Sequence, residues 1–457
     1  MTLTFFVPGI DAHLEKAMKR SGLLRTKHVA SLLGALFVLF FAAIPASAQI
    51  SVTTRMNNSQ RTSVNGSESI LTPSNVNSTQ FGRLFTQNVD GYVFAQPLYV
   101  PNLTINGAVH NVLFVATEHD SVYAFDADSN AGADALPLWH TTFLSSGVTT
   151  VSTGNLNTTD INPEIGITGT PVIDLSSKTM YVVAETLEGG TNFVKRLHAL
   201  NITTGGEQTG SPVVISASVP GTGNGSSGGT LNFDTEWENQ RGGLLLYNGV
   251  VYIPFASHGD NNDWHGWILG YSTSNLQQRV FTFCTTPNAY NGGIWMAGEG
   301  LPMDSGSNLF LATGNGTFDT TVNPPVDCGD SILRFDLSQG AVVQDYFTPS
   351  DQNNLDTQDA DLGSGGVLVL PDQPGTYPHL LVQAGKQGNI YLVNRDIFAA
   401  SDSSHPLKNM GHYGSSSDGI VQELDSAVGG MWATPVYFNG KVYFGGSGDY
   451  LKAFTLT

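Results

Sequence analysis

The feature that most constrains the fold is a repeat of about 50–70 residues that recurs six times along the chain. Each unit has a glycine-rich entry segment, then a β-branched or aromatic segment, then one that ends near Asp or Asn, as in NVLFVATEHDSVYAFDAD. Apolar and polar residues alternate at period two in these segments, which predicts short β-strands. The six units span residues 93–143, 166–217, 240–287, 293–349, 363–410 and 429–457.

The repeat predicts a β-propeller. One small sheet cannot bury both of its faces, so neighbouring sheets must stack, and small residues in the entry strands suit the crowded axis of a radial arrangement. We therefore predict an all-β propeller of four-stranded antiparallel blades over residues 81–457, with six visible blades and up to eight if the chain is truncated. The last unit shows only three strands, and residues 81–89 could supply a fourth. A solenoid or a set of sandwich domains is the competing architecture.

The N-terminus has the pattern of an export signal. Basic residues precede an apolar run of 13 residues, Leu32–Ile44, and Ala46-Ser47-Ala48 forms a small-x-small cleavage site. The run is shorter than the roughly 20 residues that span a bilayer. We predict that residues 1–48 are a signal peptide, that 49–80 form an extended arm, and that the mature protein is periplasmic or secreted with no membrane span. An uncleaved membrane anchor is the alternative.

Charge and cysteine content exclude some functions. The chain has 19 Lys and Arg residues against 38 Asp and Glu residues, a net charge of −19, which argues against nucleic acid as a partner. No CxxCH motif is present, so a redox function would need a separate electron acceptor. Cys284 and Cys328 are compatible with one disulfide or with two buried thiols.

Four segments in the second half carry a family resemblance. They are GGIWMAG, NLFLATGNGTFD, DSILRFDLSQGAVVQDYFTPSD and QAGKQGNIYLVNRD, all between residues 292 and 396. In this order they resemble segments of the pyrroloquinoline-quinone (PQQ) dependent alcohol dehydrogenases, whose repeats form a β-propeller. The resemblance extends more weakly over residues 81–457.

The resemblance implies a role for three side chains at a quinone site. Trp295 matches the indole on which the family stacks its quinone, and an aromatic face suits a flat ring system. Lys386 matches the cation that contacts the quinone oxygens. Asp361 matches the catalytic base that removes the alcohol proton. Each also has an ordinary structural explanation, because Trp packs between blades and Asp and Lys are common in turns.

The resemblance also implies calcium ligands. Asn315 matches the amide ligand of the family, and amide and carboxylate oxygens are suitable ligands for this ion. The segment HGDNNDWHGWILGY lies where the family has a glutamate ligand, and it offers Asp260, Asn261 or Asp263 instead. The adjacent Cys-Cys pair of the family has no counterpart here.

Two further groups of polar residues are candidates from the sequence alone. His258 and His265 flank Asp260 on one loop and could form a separate metal site, although turn hydrogen bonds explain such a loop equally well. Upstream, Glu236 and Glu238 could pair with Arg241 at the mouth of the channel.

Two functional hypotheses follow. The first is an exported dehydrogenase that uses PQQ and calcium to oxidise an alcohol or sugar and passes electrons to a separate acceptor. The second is a propeller without catalytic activity that binds a protein or polysaccharide partner, since a fold alone does not imply activity. The departures from the family pattern favour the second hypothesis, and the ordered series Trp295, Asn315, Asp361 and Lys386 favours the first.

Overall fold

The computed structural model describes residues 2–6, 50–319, 326–396 and 420–457. Most of the predicted signal peptide and part of the fifth repeat lie outside these residues. No helix among the described residues is long and apolar enough to cross a membrane.

The described residues are almost entirely strand and loop. Two short α-helices, α1 (Thr153–Leu156) and α2 (Gln352–Thr357), lie in loops, as do 3-10 turns at Gly132–Ala135, Met296–Gly298 and Leu362–Ser364. The strands are β1 Thr2–Phe6, β2 Arg83–Asn88, β3 Leu98–Ile105, β4 Ala108–Thr117, β5 Ser121–Asp126, β6 Trp139–Thr142, β7 Val148–Ser152, β8 Glu164–Ile165, β9 Val172–Asp174, β10 Thr179–Glu188, β11 Asn192–Asn201, β12 Val213–Val214, β13 Ser218–Pro220, β14 Thr230–Asn232, β15 Glu238–Asn239, β16 Leu245–Tyr247, β17 Val250–Ser257, β18 Trp267–Ser272, β19 Asn275–Cys284, β20 Asn308–Ala312, β21 Ile332–Asp336, β22 Val343–Phe347, β23 Leu368–Val369, β24 Leu380–Ala384, β25 Ile390–Asn394, β26 Gln422–Leu424, β27 Val436–Phe438, β28 Lys441–Gly445 and β29 Leu451–Thr455.

Each of the six sequence repeats forms one antiparallel sheet. The repeats supply the strand sets β3–β6, β9–β12, β16–β19, β20–β22, β23–β26 and β27–β29, and consecutive strands pair within each set. Strands β7 and β8 extend the second sheet, and β15 extends the third. The fourth sheet has three strands, and Met303 adds a single bridge to Leu309 at its inner edge. The all-β propeller predicted from the repeat is confirmed.

The core lies between neighbouring sheets, because both faces of most sheets are apolar. Between the first and second sheets, Phe114 and Trp139 pack with Met180 and Val182 in one buried cluster. The indole nitrogen of Trp139 donates a hydrogen bond to the carbonyl of Ile202 at 2.9 Å, which fixes the two sheets relative to each other. Similar clusters join the second sheet to the third, the third to the fourth and fifth, and the fifth to the sixth.

The first part of the predicted extended arm lies against the inner edges of four sheets. Val52 bridges to Tyr99 in the first sheet, and the carbonyl of Thr53 accepts from the amide of Ile173 in the second at 2.8 Å. Arg61 then reaches Leu244 and Leu301, at the start of the third and fourth sheets, and is fully buried. A polar sequence forms an ordered segment here because the inner edges supply hydrogen-bond partners.

The isolated strand expected at residues 81–89 is β2, and it pairs with β1 rather than with β29. The sheet of β27, β28 and β29 gains no fourth strand from the described residues. Cys284 and Cys328 are both buried and both free, so they are two thiols and not a disulfide.

Candidate functional site

Loops from five of the six sheets surround one cavity of about 410 Å³. This is within the range of about 300–1,000 Å³ that is usual for small-molecule sites. The cavity is lined by Asp160, Arg241, Asp260, Trp295, Ala297, Asp361, Ser364, Lys386 and Trp432. Four of the six site residues predicted from the sequence are therefore in its wall, although they are far apart in the chain.

The indole of Trp295 is held at the cavity by a turn with unusual backbone angles. Met296 and Ala297 follow it with φ values of 43° and 52°, in the left-handed region. Trp264 contacts its ring edge-on, with centroids 6.1 Å apart. The indole nitrogen of Trp295 is buried and has no hydrogen-bond partner in the described structure. A buried donor of this kind is costly unless a ligand or water accepts from it.

Glycine at position 314 is what brings Trp295 and Asp361 together. A β-carbon on Gly314 would lie 2.9 Å from the Trp295 ring and would overlap the Asp361 carboxylate. The backbone amide of Gly314 donates to the carbonyl of Gly293 at 2.9 Å, which ties the turn after β20 to the segment that carries Trp295. Loops of the fourth and fifth sheets therefore meet at this point.

The Asp361 carboxylate is buried between two donors. One oxygen accepts from the backbone amide of Asn315 at 2.6 Å, and the other is 2.6 Å from the Lys386 ammonium group. Burial raises the pKa of Asp361, and Lys386 opposes that effect. Lys386 also pairs with Asp359 at 2.8 Å. Burial acts to lower the pKa of Lys386, but the two carboxylates outweigh it and the net shift is upward.

Two candidate metal ligands adjoin this carboxylate. The side-chain oxygen of Asn315 is buried and has no hydrogen-bond partner among the described residues, so it is available to a cation. Asp260 lines the cavity and accepts from the Ser257 hydroxyl at 3.0 Å. Burial raises the pKa of Asp260, and the nearby charge of Asp361 adds to the shift. The oxygens at this end of the cavity are of the type that calcium prefers.

Asn261 is not part of this arrangement. Its side-chain amide donates to the carbonyls of Leu156 and Asn157, at 3.4 and 3.2 Å, and it does not line the cavity. Although Asn261 follows Asp260 in the chain, its side chain points toward the end of α1. The described residues contain no group of three or more His, Cys, Asp or Glu side chains with the spacing of a metal site.

The two histidines of the same loop are used elsewhere. His258 hydrogen-bonds to Glu185 at 3.1 Å, and Glu185 also pairs with Lys195 at 2.8 Å in a buried cluster. His265 contacts the hydroxyl of Thr286 and the carbonyl of Asn224, at 2.9 and 3.0 Å. The two imidazoles therefore have different partners and do not converge on a shared site.

Four cavity residues were not singled out from the sequence: Asp160, Ala297, Ser364 and Trp432. Arg241 lies at the cavity, as expected, but it does not pair with Glu238, which accepts instead from the indole of Trp267 at 3.2 Å. One signal for Trp432 was present, because GGMW at 429–432 repeats GGIW at 292–295. In both copies the second glycine leaves room for the indole that follows two residues later.

No protein-family model matches the sequence, and no curated protein sequence matches it. Among solved structures, the chain is similar to the quinohemoprotein alcohol dehydrogenase from Comamonas testosteroni, with a TM-score of 0.51 and 16% identity, over 86% of this chain and 57% of that one. A quinohemoprotein alcohol dehydrogenase from Pseudomonas putida gives a TM-score of 0.47 at 17% identity, over 78% of this chain and 51% of that one. The chain thus spans little more than half of these proteins. It has the β-propeller fold seen in the quinoprotein alcohol dehydrogenases.

Proposed function

We propose that the cavity binds a PQQ-type quinone together with calcium, and that the protein oxidises an alcohol or a sugar. The observation that carries the proposal is that Trp295, Asp361 and Lys386 meet at one cavity, with Asn315 in contact with Asp361. These residues come from the loops of two neighbouring sheets, the fourth and the fifth, and they are the residues that the sequence resemblance singles out.

The residues present fit such a cofactor. The Trp295 ring offers an aromatic face and a free N–H donor, and Lys386 offers a cation for a quinone or carboxylate oxygen. The free oxygen of Asn315 and the carboxylate of Asp260 offer ligands for calcium. When bound, the quinone would accept the hydride from the carbon that bears the hydroxyl group.

The role of Asp361 is to take the hydroxyl proton of the substrate. A base works best when its pKa is near the working pH, and burial raises the pKa of Asp361 toward that range. Lys386 opposes this shift, because its positive charge favours the carboxylate form. The pair Asp361–Lys386 therefore combines a carboxylate made more basic by burial with a cation that stabilises its ionised form.

The proposed setting is the periplasm or the extracellular space. The predicted signal peptide supports export, and a separate acceptor would take the electrons because the sequence contains no CxxCH motif.

The proposal is tested by titrating the purified protein with PQQ, with and without calcium, and following heat and tryptophan fluorescence. We expect saturable binding that needs calcium and that weakens at least 10-fold in Trp295→Ala and in Asn315→Ala. Arg83→Gln, an exposed charge on β2, is the matched control and should bind as the wild type does. If high micromolar PQQ does not bind, the dehydrogenase proposal fails and the propeller is left as a scaffold for a macromolecular partner.

A further inference from the structure

Arg241 is a cation without a partner in the cavity wall. Its side chain makes no hydrogen bond and no ion pair with any residue that the structure describes. Asp160 and Glu118 attract it through space, but neither is at ion-pair distance. Burial lowers the pKa of Arg241 and outweighs that attraction. A partly buried guanidinium in this condition has lost hydration without gaining a partner, which costs free energy.

Two other buried arginines of the chain, Arg61 and Arg395, have hydrogen-bond partners for their guanidinium groups. Arg61 donates to the carbonyls of Leu301 and Leu244 at 3.0 and 3.4 Å, among further bonds. Arg395 pairs with Asp304 at 2.9 Å and also donates to two backbone carbonyls. Both donate hydrogen bonds from all three guanidinium nitrogens. Arg241 differs from them because it faces the cavity.

The backbone holds Arg241 in place. Its amide donates to the carbonyl of Asn239 at 3.1 Å, and a β-carbon on the next residue, Gly242, would lie 2.7 Å from Pro254. Gly243 packs closely against the carbonyl of Glu299. The backbone from which the guanidinium extends to the cavity is therefore held in place.

Lys386, the other cation in the cavity wall, is already paired with Asp361 and Asp359. Of the carboxylates that line the cavity, Asp361 is paired with this lysine, whereas Asp160 and Asp260 have no cation partner among the described residues. A ligand with a negative group would therefore find one unpaired cation, Arg241, and would be repelled by these two carboxylates.

We propose that Arg241 binds a carboxylate of the small molecule in the cavity, and that the substrates are hydroxy acids or sugar acids. The planar fork of a guanidinium matches a carboxylate with two parallel hydrogen bonds. The substrate assignment rests on the proposed function, whereas carboxylate binding by Arg241 does not. A carboxylate of the quinone cofactor is the second source of the same chemistry, and the experiment separates the two.

The first arm of the experiment omits the quinone. Gluconate and lactate are titrated into the protein, with glucose and glycerol as neutral counterparts, and tryptophan fluorescence is followed. We expect the acids to bind, and Arg241→Gln to weaken that binding about 10- to 100-fold, as is typical for lost hydrogen bonds to a charged group. Arg241→Lys should lose less affinity for the acids than Arg241→Gln does, and Asp160→Asn should bind the acids more tightly than the wild type. Arg83→Gln should bind the acids as the wild type does.

The second arm uses PQQ with calcium. If Arg241→Gln weakens PQQ binding and the acids do not bind, the carboxylate belongs to the cofactor and the substrate assignment is wrong. If PQQ binds normally to Arg241→Gln and the acids do not bind the wild type, the role of Arg241 is overturned and the proposed function survives. If PQQ fails to bind but the acids bind through Arg241, the proposed function falls and the carboxylate site stands.

Protein stability separates this role from a structural one. Because Arg241 has no partner among the described residues, Arg241→Gln should melt at the same temperature as the wild type or higher. A melting temperature lowered by several degrees in both Arg241→Gln and Arg241→Lys would show that the guanidinium holds the fold together, and would contradict the proposal.

Discussion

At Asp361, burial and a neighbouring charge act in opposite directions on one carboxylate. Burial favours the protonated form and Lys386 favours the ionised form, and the net effect is a raised pKa. Asp361, Lys386 and Trp295 were found from the sequence because each lies within a recognisable motif. Arg241 was expected at the channel mouth but paired with glutamates, and Asp160 was not found, because only the positions of neighbouring sheets bring Asp160 to the cavity.

The first prediction concerns the pH dependence of oxidation. Asp361 must be ionised to accept a proton, so kcat/KM should fall as the pH drops through its raised pKa, at a higher pH than for an ordinary aspartate. Lys386→Met removes the opposing charge and should move this acidic limb to still higher pH. The measurement is a dye-linked rate across pH for the wild type, Lys386→Met and Asp361→Asn.

Asp361→Asn should lower kcat about 10²- to 10⁴-fold, the range for loss of a general base. Asp359→Asn is the control variant. Asp359 is exposed, and it pairs with Lys386 but not with Asp361. A full rate in Asp361→Asn would exclude Asp361 as the base.

Glu118 supports a second prediction at this scale. Its carboxylate accepts from the amide of Gly166 at 2.9 Å and from the hydroxyl of Thr168 at 3.0 Å, and burial raises its pKa from 4.5 to about 8. Between these values the unfolded chain is ionised and the folded protein is not. The free energy of unfolding should therefore fall as pH rises from about 4.5 to about 8, by at most about 1.4 kcal/mol per pH unit from this group.

Denaturant unfolding at several pH values measures this slope. Glu118→Gln keeps an acceptor oxygen for Gly166 and Thr168 but cannot ionise, so its slope should be shallower than that of the wild type. Identical slopes would mean that Glu118 is ionised in the folded protein.

At the scale of elements, the arm that crosses the inner edges of the sheets was the least predictable part. Residues 49–80 are polar and lack an alternating pattern, so the sequence indicated an extended or frayed segment. The segment is ordered where it meets Tyr99, Ile173 and Leu301, through backbone bonds and the side chain of Arg61. Such contacts depend on the sheets being assembled, and no local pattern in the arm encodes them.

Arg61 gives the prediction for this element. Its guanidinium donates to Leu301, Leu244, Thr54 and Arg55, and it is fully buried near the carboxylate of Glu299. Arg61→Gln leaves several of these acceptors without a donor and should lower the free energy of unfolding by about 3–5 kcal/mol. Thermal or denaturant unfolding measures the change, with Arg83→Gln as the exposed control. A loss below about 1 kcal/mol would mean that the arm contributes little to the fold.

At the scale of the whole molecule, the repeats made the sheets predictable, but they did not predict which strand residues 81–89 would pair with. Alternation at period two fixed the strands, and six repeats gave six sheets because each repeat is one antiparallel unit. The pairing of β2 with β1, by contrast, joins segments far apart in the chain that carry no matching pattern. The cavity is a property of the assembled sheets, since five of them contribute to its wall.

If this cavity is a cofactor site assembled from separate repeats, PQQ and calcium should occupy it in a crystal structure of the mature protein grown with both. We expect a planar ligand against the Trp295 indole, within reach of Lys386, and a cation beside the side-chain oxygen of Asn315. An empty cavity at saturating PQQ, or a quinone bound elsewhere on the propeller, would contradict this expectation.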